Sequence, residues 1–155
     1  MPVDPVLASY GDLAYGTALV LYLFAMVLHA VEYAGGRVRP LVAAAQRGAV
    51  DGAGPVATLA PPEDGRSRPE RVGRSAVALT GLAAAVHGCS LVLRGAAAGR
   101  VPWGNMYEFT SALCFVAVLA WLVVLYRQRA CAPALRRLGV FVLLPVVALM
   151  FLGGT

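Results

Sequence analysis

Four apolar stretches, separated by charged or turn-forming segments, constrain the fold of this chain more than any other feature of its sequence. Three of them contain about 18 to 22 residues, close to the ~20 that an α-helix needs to cross the hydrocarbon core of a bilayer. The fourth contains about 15 residues and, at ~1.5 Å per residue, is short for a crossing; we expect it to insert as a truncated span. The predicted spans are 13–34, 75–93, 109–126 and 138–152.

The composition agrees with a membrane protein and excludes a soluble domain. Hydrophobic residues make up 59% of the chain and charged residues 14%, and the mean hydropathy is +0.72. A typical soluble domain is about a quarter charged. The net charge of +5 does not indicate nucleic-acid binding, because the arginines lie between apolar stretches and are not interleaved with aromatic residues. We therefore predict an all-α, polytopic transmembrane helical bundle that contacts the lipid bilayer and has no nucleic-acid partner.

The distribution of arginine predicts how the spans are oriented. Of the 13 basic residues, seven lie in segment 35–74 and four in segment 127–137, whereas Arg94 and Arg100 lie in segment 94–108. Basic residues accumulate in the cytoplasmic segments that flank transmembrane helices. The N-terminus is therefore predicted to lie outside, in a multi-pass protein of the plasma membrane. The extracytoplasmic segments are 1–12 and 94–108, and the cytoplasmic segments are 35–74 and 127–137.

The hydrophilic segments on either side of the first span differ in character. Segment 1–12 carries no basic residue, whereas a signal peptide begins with a basic region, so the first span is predicted to remain as an anchor. Segment 35–74 is rich in glycine, proline and charge, which predicts a largely disordered loop. Residues 41–47 could form a short interfacial helix, and a binding site for a soluble partner is the alternative interpretation of the loop.

Three ionisable side chains lie within the predicted spans, where they cost free energy and are functional candidates by default. They are His29, Glu32 and His87. The first span also carries an aromatic face at helical spacing, which is predicted to point into the bundle. This face contains Tyr15, Tyr22, Met26, His29 and Tyr33.

The two histidines are predicted to lie at different depths. His29 lies ~7 Å from the inner end of its span and His87 ~18 Å from the same side, so they are not expected to bind one iron as an axial pair. His29 and Glu32 are spaced i, i+3 and can touch. One interpretation is an interfacial pair that packs the helix end, with Glu32 reaching the headgroups; a functional role is the other.

For His87 the sequence leaves two interpretations open. The histidine could hydrogen-bond across a close helix interface, since small residues at four-residue spacing surround it in two rows. It could instead contact a porphyrin between helices, because neutral histidine is a common haem ligand. The two rows are Thr80, Ala84 and Gly88, and Gly81 and Ala85.

No motif predicts a catalytic residue or a metal site. The three cysteines, Cys89, Cys114 and Cys131, form no CxxC pair. Cys89 and Cys114 lie inside apolar stretches and are predicted to be buried small side chains.

The segment before the third span combines turn, aromatic and capping residues. Asn105 and Glu108 have the spacing of a capping box, and Glu108 would meet the positive end of the helix dipole. Trp103 and Tyr107 suit the aromatic belt at a membrane interface. A well-made re-entry turn is the structural interpretation of this loop. Its characteristic residues are Pro102, Trp103, Gly104, Asn105, Tyr107 and Glu108.

The same segment resembles a known family. The run Pro102-Trp103-Gly104-Asn105-Met106-Tyr107-Glu108-Phe109, preceded by Leu93-Arg94-Gly95 and Gly99-Arg100, resembles the outer loop of the CcsA/ResC family of cytochrome c biogenesis proteins, labelled CcsB in many actinobacterial chains. The first helix, over residues 22–34, is also similar to that group. The resemblance follows all four spans in order, and its specific part is about a dozen residues.

The resemblance implies a role in the system II pathway. Family members, with a ResB-type partner, bring haem b to the outer face of the membrane and attach it to the reduced CxxCH cysteines of apocytochrome c. Their tryptophan-rich loop and its flanking histidines belong to the C-terminal half, so this chain is expected to correspond to the N-terminal part. His29 and His87 do not match the family's haem-ligand motifs.

Arg100 and the overall class of the protein each allow two interpretations. Arg100 could pair with a haem propionate, or it could snorkel to the interface as a structural residue. From a different functional class, a transporter fragment or a non-catalytic membrane scaffold is the alternative to a role in haem attachment.

Overall fold

The computed structural model describes residues 4–50, 68–99, 106–128 and 132–154, with side chains described over 4–35, 71–99, 106–128 and 134–154. The described part is all-helical, which confirms the predicted fold class. Its helices are α1 (Pro5–Val50), α2 (Arg68–Ala98), α3 (Met106–Arg127), α4 (Ala132–Arg137) and α5 (Gly139–Gly154).

Four helical segments are long and apolar enough to cross a membrane, so the chain is a multi-pass membrane protein. The fourth is 21 residues long, longer than the apolar stretch that predicted it, because α4 and α5 follow one another across Leu138 and form one span. The predicted span began only at Leu138, because Arg136 and Arg137 precede the apolar stretch. The four segments are Pro5–Gly35, Arg71–Ala98, Met106–Arg127 and Ala134–Gly154.

The first helix begins and ends beyond its apolar stretch. Asp4 caps its start, since Asp4 Oδ1 accepts hydrogen bonds from the backbone N–H groups of Val6 (2.9 Å) and Leu7 (3.3 Å), and Pro5 occupies the first helical position. At its other end α1 continues to Val50, and α2 begins at Arg68.

Segment 35–74 is therefore helical at both of its ends, whereas the sequence predicted a largely disordered loop. Extending an existing helix avoids the free-energy cost of nucleating a new one. The amino-acid composition of the segment does not reflect this effect. Residues 51–67 lie outside the described residues.

The spans form a square bundle in which chain neighbours run antiparallel. Later residues of α2 contact earlier residues of α1. Ser90 Oγ donates to the Gly11 carbonyl, whereas Thr80 Oγ1 lies 3.4 Å from His29 Nε2. On α5, the Met150 carbonyl accepts a 2.6 Å hydrogen bond from the Tyr15 hydroxyl. In the described part, α1 and α3 each pack against α2 and α5, which places α1 and α3 at opposite corners.

Small side chains bring α1 and α2 together. Ala18 and Ala25 of α1 and Ala83 and Ala84 of α2 are buried in the core. The predicted row of Thr80, Ala84 and Gly88 faces this interior, and a Cβ at Gly88 would lie 3.1 Å from the ring of Phe115.

The second predicted row of small residues does not pack as expected. The position of a Cβ on Gly81 is open space, and Ala85 is exposed. Cys89 is likewise exposed, so its predicted burial is wrong, whereas Cys114 is buried as predicted. Cys131 lies outside the described residues. This face of α2 points away from the bundle because the three neighbouring positions 80, 84 and 87 take up its inner face.

Large apolar side chains remain exposed on the outside of all four spans. A soluble protein would not leave such continuous apolar surface in water, whereas lipid tails match it. The surface fits the predicted contact with a lipid bilayer. Examples are Leu13, Phe24 and Val31 on α1, Leu82 and Val92 on α2, Phe109, Val116 and Val123 on α3, and Phe141, Leu149 and Phe151 on the fourth span.

Candidate functional site

The predicted inner face of α1 does point into the bundle. Tyr15, Tyr22 and His29 are buried, and Met26 and Tyr33 are partly buried. Since these residues recur along one face of the helix, the interior of the bundle holds a column of polar side chains. They fall into three clusters, which lie one below another along the helix axes.

The first cluster surrounds His87, which is fully buried. His87 Nε2 lies 2.9 Å from Ser111 Oγ of α3, and Nδ1 lies 3.5 Å from the Tyr22 hydroxyl of α1. A neutral histidine offers one donor and one acceptor, and a hydroxyl can serve either, so the three residues can satisfy one another. Of the two interpretations left open for His87, the geometry matches the hydrogen bond across helix interfaces.

Aromatic rings enclose the same histidine on its other sides. The rings of Tyr15, Tyr22 and Phe115 stand nearly perpendicular to the imidazole, with centroids 5.6–6.1 Å away. A haem iron at His87 would have to displace a hydroxyl partner, and its macrocycle would have to displace these rings. The surroundings of His87 therefore do not fit a haem group.

The second cluster surrounds His29 and Glu32. His29 is fully buried between Thr80 and the indole of Trp121, whose ring centroid is 5.3 Å away. Its Nδ1 lies 3.9 Å from Glu32 Oε2, too far for a hydrogen bond. His29 packs so closely on α5 that a Cβ at Gly139 would lie 2.8 Å from its ring. No room remains for a haem macrocycle here either.

Glu32 corrects the sequence interpretation of this pair. Its side chain is only 5% exposed and does not reach toward the headgroups; Oε1 instead lies 3.2 Å from Arg136 Nε, which belongs to α4. The carboxylate rests on Gly73, where any side chain would overlap it. The ion pair was not predicted, because Arg136 was placed in the cytoplasmic segment 127–137, outside the predicted spans.

The third cluster lies at the opposite end of the bundle, where α2 ends and α3 begins. Arg94 Nη2 donates to Asp12 Oδ1 at 2.5 Å, and its guanidinium lies over the ring of Tyr107, 4.6 Å from the centroid. The rings of Tyr15 and Tyr107 are 5.2 Å apart. Tyr107 therefore packs inside the bundle rather than on an outer aromatic belt. This cluster was not predicted from the sequence, although charged residues at the facing ends of two spans could have indicated it.

Only part of the predicted loop falls within the described residues. Tyr107 lies in the third cluster, and Glu108 is buried in the first turn of α3, where its charge suits the helix dipole as predicted. Arg100, Pro102, Trp103, Gly104 and Asn105 lie outside the described residues.

The described residues bring together no group of three or more histidine, cysteine or acidic side chains that could hold a metal ion. A comparison of the chain with protein-family models, with functionally characterised proteins and with solved structures found no match. The site is thus defined by its geometry alone: three polar clusters that tie four membrane-spanning helices together.

Proposed function

We propose that this chain is a membrane component of a cytochrome c biogenesis system of the CcsA/ResC type, working with a ResB-type partner and apocytochrome c in the plasma membrane. The supporting observation is the contact between Arg94 and Tyr107. These residues belong to two separate parts of the sequence that carries the family resemblance, and they meet at one end of the bundle.

In this proposal the chain positions the reacting groups and does not itself take part in the reaction. The third cluster fixes the end of α2 and the start of α3 at one end of the bundle, which we assign to the extracytoplasmic side. Thioether formation would be carried by haem b and the apocytochrome thiols. In this proposal neither His87 nor His29 binds haem, and Arg100 stays the candidate for a propionate contact.

Deletion of the gene in its own organism tests this function. We expect c-type cytochromes to lose covalently bound haem, seen by haem staining after denaturing electrophoresis, and the complete reading frame to restore it. Arg94→Ala should restore it less well than Arg127→Ala, an exposed arginine at the other end of α3. Unchanged cytochromes in the deletion strain would contradict the proposal.

A non-catalytic membrane scaffold is the second candidate. It is favoured by a specific observation: the buried Glu32, His87 and Ser111 each contact another polar side chain within the bundle. A haem absorbance spectrum of the purified protein bears on both candidates. We expect the Soret band, if present, to be the same in His87→Ala and in the parent protein.

A further inference from the structure

A cavity of about 650 Å³ opens at the end of the bundle that holds the third cluster. All four spans contribute to its walls, and its volume falls within the ~300–1,000 Å³ of typical small-molecule sites. Asp12, Arg94 and the two tyrosines of the cluster make its polar side. Leu19 and Phe151 make part of its apolar side.

Arg94 is held in place before any ligand arrives. Its aliphatic stem packs on Gly11, where a Cβ would lie 3.0 Å from Arg94 Cγ, and its guanidinium rests on the ring of Tyr107. Asp12 engages one edge of the guanidinium, but Asp12 itself is 66% exposed and the Arg94 side chain keeps 24% of its surface exposed. Because arginine carries five N–H donors in a planar fork, the remaining donors can hold an anionic oxygen.

The two sides of the cavity lie at a boundary between polar and apolar surroundings. Arg94 is followed by the end of α2 at Ala98, whereas Leu19 lies two turns into α1 from Asp12, about 10 Å toward the bundle centre. A molecule that fills this cavity therefore needs a charged head at one end and an apolar body at the other. A membrane phospholipid has this form, and its phosphodiester matches the guanidinium fork.

We infer that the cavity binds one phospholipid, with its phosphodiester on Arg94 and the upper part of its acyl chains against Leu19 and Phe151. The lipid would occupy the cavity against α1 and the fourth span, both of which contribute to its lining. Its binding requires neither haem nor a partner protein, so the inference is independent of the proposed function.

Native mass spectrometry of the full protein tests the site. The protein is reconstituted in vesicles of palmitoyl-oleoyl-phosphatidylglycerol that contain dioleoylglycerol, and is then extracted in mild detergent. We expect one phosphatidylglycerol to remain bound and dioleoylglycerol, which lacks the phosphodiester, to be lost. Arg94→Gln should lower the bound fraction about tenfold or more, as loss of a charge-assisted hydrogen bond implies.

Two glycines supply a matched pair of variants that leave Arg94 in place. A Cβ at Gly16 meets open space, and Gly16 lines the cavity, so Gly16→Leu should fill it and expel the lipid. A Cβ at Gly81 also meets open space, but Gly81 lies outside the cavity, so Gly81→Leu should keep the lipid. Arg127→Gln is the corresponding control for the arginine.

Three results would overturn the inference. Equal retention of phosphatidylglycerol by Gly16→Leu and the parent protein would show that the lipid sits elsewhere. Equal retention of dioleoylglycerol would show that the headgroup does not matter. A rise in the melting temperature of the delipidated protein with inorganic phosphate, lost in Arg94→Gln but unaffected by Gly16→Leu, would identify a site for free anions instead.

Discussion

At two positions in this bundle, the side chain on the opposite helix leaves room only for glycine. Gly73 lies against the carboxylate of Glu32, and Gly139 lies against the imidazole of His29. A polar group can be buried at a helix crossing only where the facing helix gives it space, and glycine gives the most. Each polar residue therefore depends on its glycine for space. Replacing the glycine should destabilise the buried polar side chain opposite it.

Gly139→Ala should destabilise the bundle, because its Cβ would lie 2.8 Å from the ring of His29. Overpacking of this kind costs about 1–3 kcal/mol. Gly81→Ala is the control, since its Cβ meets open space and alanine is the better helix former by about 1 kcal/mol. The midpoints of thermal unfolding in detergent measure both. Equal midpoints for the two variants would contradict the packing at Gly139.

The hydroxyl of Ser111 should matter to stability because it is a buried partner of His87. Ser111→Ala leaves Nε2 without that hydrogen bond, at a cost of about 1–3 kcal/mol. Ser75→Ala is the matched control: Ser75 is exposed and bonds to the carbonyl of its own helix at Arg71, so its loss should cost less than about 0.5 kcal/mol. If Ser111→Ala unfolds at the same temperature as Ser75→Ala, the hydrogen bond contributes nothing to stability.

At the scale of elements, α4 provides an ion pair between the fourth span and the first. Arg136 and Glu32 are both buried, and they lie far apart in the sequence, on α4 and α1. Breaking such a pair by removing one partner is strongly destabilising, since the other charge stays buried alone. The pair therefore fixes how α4, and with it α5, sits on α1.

Arg136→Gln should lower the free energy of unfolding by about 3–5 kcal/mol. Arg137→Gln, its exposed neighbour, is the control and should have little effect. The double variant Glu32→Gln with Arg136→Gln should regain much of the loss, because no charge then remains buried. Unfolding of the double variant as easily as Arg136→Gln alone would mean that the pair does not account for the loss.

The helices could be predicted from the sequence because hydropathy follows directly from the residues of one segment. The inward face of α1 followed from the spacing of Tyr15, Tyr22 and His29. The partners of these residues could not be predicted, because Arg136 and Ser111 are brought to them by the packing of other helices. Arg136 was placed in the cytoplasmic segment 127–137, because the sequence does not show which helix brings a buried carboxylate to it.

At the scale of the whole molecule, the distribution of arginine predicts the orientation in the membrane. The end of the bundle with Arg136 carries the basic segments, and the end with Arg94 carries few basic residues. Because basic segments stay in the cytoplasm, the end with Arg94 and its cavity should face outward. A direct measurement of the orientation tests this prediction.

Single cysteines at the two ends provide that measurement in intact cells. In a background without Cys89, Cys114 and Cys131, Asp4→Cys should react with a membrane-impermeant maleimide, because Asp4 is exposed at the end of the bundle that is predicted to face outward. Gln128→Cys, exposed at the end of α3, should react only after the membrane is opened. The reverse pattern would place the third cluster in the cytoplasm, and a segment held there could not meet an extracytoplasmic apocytochrome. The labelling thus tests the orientation on which the proposed function depends, while the lipid site would stand under either result.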